Sequence, residues 1–118
     1  MKNLDYICIK HGQKLDKSDT TLRKALGVLN EDGIYAMFLW LENENSEIRI
    51  KQLIPLLNDN GIKPYLIEKD THFKEDFKDF CEQLSNISED IDKLFFMKKV
   101  LERTLTYGLY HAKIKSGE

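Results

Sequence analysis

The sequence predicts an all-α protein: a compact bundle of about five to six helices that forms one domain over residues 1–118. Three observations predict it. Apolar residues recur at spacings of three and four through most of the chain, the period of a helix with one buried face. Short clusters of Asn, Asp, Ser and Gly separate these stretches, and such residues favour turns and caps. The apolar fraction is 42% and the charged fraction 32%, too hydrophobic for a disordered chain and enough for a core without staples.

Leu4, Ile7, Cys8, His11 and Leu15 mark a first helix ending near Leu15. Ser18 and Asp19 suit the N-cap of a second, whose face is Leu22, Ala25, Leu26 and Leu29. Asn30-Glu31-Asp32-Gly33 is turn chemistry, either a full break or a kink. From Gly33 to Leu41 the chain is apolar almost all round, as in a helix at the centre of a bundle. A buried strand competes there, but Ala36, Met37 and the helical neighbours favour helix.

Asn43-Glu44-Asn45-Ser46 reads as a loop, with Ser46 capping the next helix. That helix carries Ile50, Leu53, Ile54 and Leu57, and Pro55 should bend it by removing an N–H and crowding the preceding turn. Asn58-Asp59-Asn60-Gly61 ends it, with Gly61 suited to a left-handed position. Residues 62–68 read as an extended connector, since Pro64 argues against a central strand. Phe73, Phe77, Phe80, Cys81 and Leu84 form the stripe of a fifth helix. Ser85-Asn86-Ile87-Ser88 breaks it, and Ser88 caps the last helix, with Glu89 and Asp90 in its first turn. The final stripe runs from Ile91 through Leu94, Leu101, Leu105, Gly108 and Ala112.

Several function classes find no support. The longest apolar run, 34–41, falls short of the roughly 20 residues that span a membrane. An acidic residue, Asp5, precedes any apolar stretch, so no signal peptide is expected and the chain is placed in the cytoplasm. Cys8 and Cys81 lie far apart on helical stripes and read as buried reduced thiols. His11, His72 and His111 are scattered, without zinc spacing. There is no phosphate-cradling glycine loop and no Gly-x-Ser-x-Gly turn. The carboxylate pairs within 68–92 read as solvated helix surface. The expectation is a protein that is not an enzyme and needs no cofactor.

Charge is more informative by region than in total. The net charge is −2, yet residues 1–30 hold six Lys/Arg against three acids, residues 31–90 six against fourteen, and residues 91–118 six against three. If the two ends pack together, they form a positive face suited to a phosphate backbone; an ordinary solvated surface is the alternative. The last helix is the best binding candidate. Off its apolar stripe it carries Lys98, Lys99, Arg103, Tyr107, Tyr110, His111, Lys113 and Lys115, and cations interleaved with aromatics suit a nucleic-acid strand with exposed bases. The helix dipole alone accounts for Lys113 and Lys115 near the C-terminus, less well for Lys98, Lys99 and Arg103. Lys17, Arg23 and Lys24 offer phosphate contacts near the second helix, as in a helix-turn-helix, but few side chains there could read bases.

Two blocks carry a family resemblance: Leu22-Arg23-Lys24-Ala25-Leu26-Gly27-Val28-Leu29-Asn30-Glu31-Asp32-Gly33-Ile34-Tyr35-Ala36-Met37-Phe38-Leu39-Trp40-Leu41 and Leu101-Glu102-Arg103-Thr104-Leu105-Thr106-Tyr107-Gly108-Leu109-Tyr110-His111-Ala112-Lys113. Together they resemble the small helical subunit of type III-B CRISPR effectors, the fifth subunit of the Cmr complex; the small subunit of type III-A effectors is a close relative in role. The family's last helix tends to carry an aromatic followed by Leu-Lys-Arg, where Tyr107 here is followed by Gly108-Leu109-Tyr110. The resemblance implies a helical bundle that acts as a non-catalytic structural subunit in antiviral defence. Such subunits stack along the backbone subunits of a ribonucleoprotein, self-stack there, and help line the channel where guide RNA pairs with target RNA. The partners implied are the other effector subunits and the two RNAs, with Lys98, Lys99, Arg103, His111, Lys113, Arg23 and Lys24 as RNA-binding candidates. A helical protein–protein adaptor or regulator without nucleic acid is the alternative.

Overall fold

The computed structural model describes residues 3–15 and 19–115. They form an all-α bundle: α1 (Leu4–Gln13), α2 (Asp19–Asp32), α3 (Ile34–Ile48), a π-helical turn (Arg49–Leu53), α4 (Ile54–Leu57), a 3-10 turn (Lys63–Tyr65), α5 (Phe77–Ser88) and α6 (Ile91–Lys115). No helix of the described residues is long and apolar enough to cross a membrane.

The spine is α6. Its inward face is fully buried at Met97, Val100, Leu101 and Leu105, and α1, α2 and α5 all pack against it. The two ends of the sequence therefore do lie side by side. At the α1–α6 crossing the backbones approach closely because two side chains are missing. A methyl carbon on Gly12 would sit 2.8 Å from Tyr107 Cβ and 3.0 Å from the Thr104 carbonyl oxygen. One on Gly108 would sit 2.5 Å from Leu15 Cδ1 and 3.4 Å from the Gly12 carbonyl oxygen. A side-chain carbon does not fit on Gly12 at such distances, and one on Gly108 would push Leu15 aside, so glycine on both helices lets them meet this closely.

On the other side of the core, Phe38 of α3 meets Phe80 of α5 edge-on, with ring centroids 4.8 Å apart. Phe73 adds a third ring at 6.1 Å from Phe80. Phe73 was expected inside the fifth helix, but α5 starts at Phe77, capped by Asp76, which accepts the Asp79 N–H at 3.1 Å. Phe73 instead lies in the preceding loop, where Asn58 grips its backbone: the Phe73 N–H donates to Asn58 Oδ1 at 2.7 Å, and Asn58 Nδ2 donates to the Phe73 carbonyl at 3.3 Å.

Several local expectations are corrected. The break at Gly33 is complete, with φ at +96°, a left-handed geometry suited to glycine. The stretch 43–46 is helix rather than loop, interrupted only at Asn45 (φ −166°, ψ 90°), whose Oδ1 accepts the Glu47 N–H at 3.2 Å. A single Asx turn carries the kink, and Ser46 is not a cap. Pro55 occupies the first turn of α4, where its missing N–H is no loss. The chain accommodates it by widening the turn before it into the π-helical segment. Gly61 does not adopt a positive φ; among the described residues only Gly33 and Asp70 do. Instead Gly61 donates its N–H to Asp59 Oδ1 at 2.9 Å. Residues 62–68 are not extended: they coil through the 3-10 turn and bury Ile62 and Leu66. Residues 85–88 are the last turn of α5, and Ser88 Oγ donates back to the Leu84 carbonyl at 2.8 Å. Asp90, not Ser88, caps α6, accepting the Asp92 and Lys93 N–H groups at 3.0 and 3.3 Å. Ser18 lies outside the described residues.

Candidate nucleic-acid interface

At about 100° of turn per residue, Phe95, Lys99, Arg103, Thr106, Tyr110 and Lys113 fall within about 80° of one another on α6. They lie opposite the buried Met97, Leu101, Thr104 and Gly108. Because α1, α2 and α5 occupy the inward arc, this outward line faces solvent. Phe95 is 62% exposed and Tyr110 58%, while Lys99 and Arg103 are exposed between them. Ile91 and Ile114 extend the line at its two ends, also exposed. The pattern is apolar or aromatic at each end and cationic in the middle.

Two acids border the cations. Asp5 of α1 holds Arg103, with Nη1 3.5 Å from Oδ1. The same oxygen accepts the Tyr107 hydroxyl at 2.5 Å. That hydrogen bond to a carboxylate is the main reason the Tyr107 phenol is harder to ionise than usual, with desolvation adding to it. Tyr107 is thus tied to α1. Glu102 is half-buried on the other border. The cationic centre is therefore partly neutralised, and phosphate attraction alone would be weak there.

Not all the residues singled out from sequence come together. Lys99, Arg103 and Lys113 share the outward line. Lys98 and His111 lie off it on opposite flanks and are half-buried. Arg23 and Lys24 are exposed on α2, where Arg23 donates to Asp19 at 3.3 Å one turn away. Lys115 ends α6, but its side chain is outside the described residues, as is Lys17.

Cys8, Cys81 and His11 are packed within the bundle, while His72 is exposed. Cys8 is buried, and desolvation pushes its thiol above the usual range. Cys81 is only half-buried, beside the Tyr35 hydroxyl. His11 is buried with Nε2 3.2 Å from Asp59 Oδ2. Its pKa is lowered because desolvation of the imidazolium outweighs the attraction of Asp59.

Sequence reading missed two features. Phe95 was not singled out, although the phase of Leu94, Leu101 and Leu105 already points it outward. Arg49 was not singled out either, yet it is 1% exposed. Its Nε and Nη2 donate to Glu42 at 2.9 and 3.3 Å, bridging the Asn45 kink. Its guanidinium carbon lies 5.2 and 5.1 Å from the Phe77 and Phe80 ring centroids, and Nη1 has no hydrogen-bond partner. The signal that could have found it is the aromatic stripe of α5, which offers a face for a buried cation.

A groove of about 460 Å³ lies where the 66–71 loop meets the α5–α6 corner, lined by Leu66, Ile87, Glu68, Glu89 and Lys93 among others. Its mixed charges and shallow apolar floor assemble no recognisable reactive group. No family model, no curated protein and no solved structure matches the chain.

Proposed function

We propose that this chain is a non-catalytic, RNA-associated structural subunit of a type III CRISPR RNA-guided effector complex, the role implied by the resemblance of its 22–41 and 101–113 blocks to such small subunits. The outward line of α6 is the observation that supports RNA contact: exposed Phe95 and Tyr110 bracket Lys99 and Arg103, and aromatics with cations hold bases and phosphates together. Asp5 and Glu102 keep the isolated surface weak, as expected of a subunit that meets RNA only where neighbouring subunits have already placed it. In this reading the bundle stacks along backbone subunits and helps hold the guide–target RNA, while cleavage belongs to other subunits.

A protein adaptor without nucleic acid is the second reading. It is favoured by exposed Ile91 and Phe95 and by exposed Tyr65, which packs on Phe96 with ring centroids 5.5 Å apart, since grouped apolar exposure marks contact surfaces. Affinity purification of the tagged chain from its native cell, with and without ribonuclease, separates the two. Recovery of a multi-subunit complex with a short guide-like RNA supports the effector reading. Recovery of one protein partner, ribonuclease-insensitive and free of RNA, overturns it.

A further inference from the structure

The outward line of α6 constrains the form of the RNA it would receive. Its centre is polar: Lys99 and Thr106 lie midway between the flanking residues. A second helix docked here would trap the Lys99 ammonium in its seam, and burying an unpaired charge is costly. A phosphate strand instead brings the counter-charge with it. The axial distances also suit a strand. At about 1.5 Å per residue, Lys99 and Arg103 are about 6 Å apart and Phe95 and Tyr110 about 22 Å.

A duplex hides the base faces that Phe95 and Tyr110 would stack on, and it would engage only the two or three cations. Those cations are bordered by Asp5 and Glu102, so the electrostatic gain from a duplex is small. An unpaired strand gains from stacking, which does not depend on net charge.

We infer that the outer face of α6 receives an unpaired RNA segment of about four nucleotides, its backbone passing over Lys99 and Arg103 and its end bases stacking on Phe95 and Tyr110. This rests on the RNA-associated reading above and adds to it that the segment touching this face of α6 is an unpaired stretch of the bound RNA, beside the guide–target pairing. Because stacking carries the contact, recognition is tolerant of base identity.

The test is fluorescence anisotropy of the full chain at low salt, with a fluorescein-labelled oligouridylate of about ten nucleotides and an RNA duplex of equal length as probes. The strand should bind more tightly than the duplex. Phe95→Ala and Tyr110→Ala should each weaken strand binding about tenfold, whereas Phe95→Tyr and Tyr110→Phe should retain it. Lys99→Ala should flatten the salt dependence by about 0.7 in the log–log slope, one phosphate contact. All five side-chain changes lie on the exposed line, and unchanged circular dichroism confirms that each variant is folded. Duplex binding as tight as strand binding, or alanine variants that bind the strand as well as the parent, overturns the inference and leaves the RNA-associated reading standing. Binding of neither probe overturns it as well, and ribonuclease sensitivity of the purified complex then decides the broader reading separately.

Discussion

Replacing Glu42 with Gln should destabilise the protein more than removing the buried arginine that it holds. Arg49 is 1% exposed and its side chain is ion-paired with Glu42, Nε to Oε1 at 2.9 Å. With Glu42→Gln the guanidinium keeps at most one neutral acceptor, two ring faces and an already unpartnered Nη1. Breaking a buried pair from one side costs about 3–5 kcal/mol. The Glu42 side chain is 27% exposed, so water reaches the site, and the retained amide oxygen replaces part of what is lost. About 2–3 kcal/mol is therefore expected.

Arg49→Met removes the charge instead. It forfeits the cation–ring attraction, about 1–2 kcal/mol, but fills similar space against Phe77 and Phe80, and the orphaned Glu42 can turn to solvent. The expected cost is about 1–2 kcal/mol. The double change Glu42→Leu with Arg49→Met should come within about 1 kcal/mol of the parent, since well-packed apolar replacements of buried pairs are often neutral. Urea unfolding followed by far-ultraviolet circular dichroism measures all three, with a constant slope confirming a stability effect. If Arg49→Met costs more than Glu42→Gln, desolvation does not dominate at this site and the reasoning fails.

Three further outcomes follow from the same structure. Gly12→Ala should destabilise by about 1–3 kcal/mol, because its methyl meets backbone at Thr104. Gly108→Ala should cost less, since it meets mainly the mobile end of Leu15, and Gly27→Ala, with nothing within 4 Å, should stabilise α2 by up to about 1 kcal/mol; thermal melts of the three variants test that order. His11 has a lowered folded pKa, so below the unfolded value of about 6.5 the unfolded chain binds the proton more readily. Stability should therefore fall as pH drops from about 6.5 towards the folded pKa, and His11→Gln should remove that component of a urea-midpoint series across the window. Lys99→Glu should lower RNA recovery in the ribonuclease-controlled purification without altering the melting curve, since Lys99 is exposed; full recovery would sink the assignment of the outward line.

Helical phase was legible wherever one apolar stripe meets one core. Leu22, Ala25 and Leu29 on α2 and Leu101 and Leu105 on α6 are buried as their spacing requires, and the same phase exposes Lys99 and Arg103. The glycine at 33 was legible as punctuation because no other residue type suits its backbone angles. Asn43 to Ser46 misled because three of the four residues tolerate helix and only Asn45 leaves it, a choice set by its own side-chain hydrogen bond. Phe73 misled because it continues the α5 period by spacing while its backbone is held by Asn58, fifteen residues earlier. Arg49 was hard to read for a related reason: the aromatic stripe of α5 offers a face for a cation, but which cation fills it depends on Glu42, Phe77 and Phe80 converging from two helices. The candidate interface was half legible. Its cations stood out in the sequence, and the separation of Lys98 and His111 from Lys99 and Arg103 follows from the period of α6 alone, but the hold of Asp5 on Arg103 comes from how α1 lies across α6.

That α1–α6 crossing also sets an order of events during synthesis. Gly12 and Leu15 meet residues 104–108 at this crossing, and those residues leave the ribosome about 100 residues later, some 5–20 seconds at ordinary elongation rates. Through that interval Ile7 and Cys8, fully buried in the finished fold, lack the cover of α6 and can pack only on the side that faces α4 and Gly61. α1 is thus made well before the helix it packs on most closely, and the nascent chain carries a half-covered apolar segment until α6 is complete.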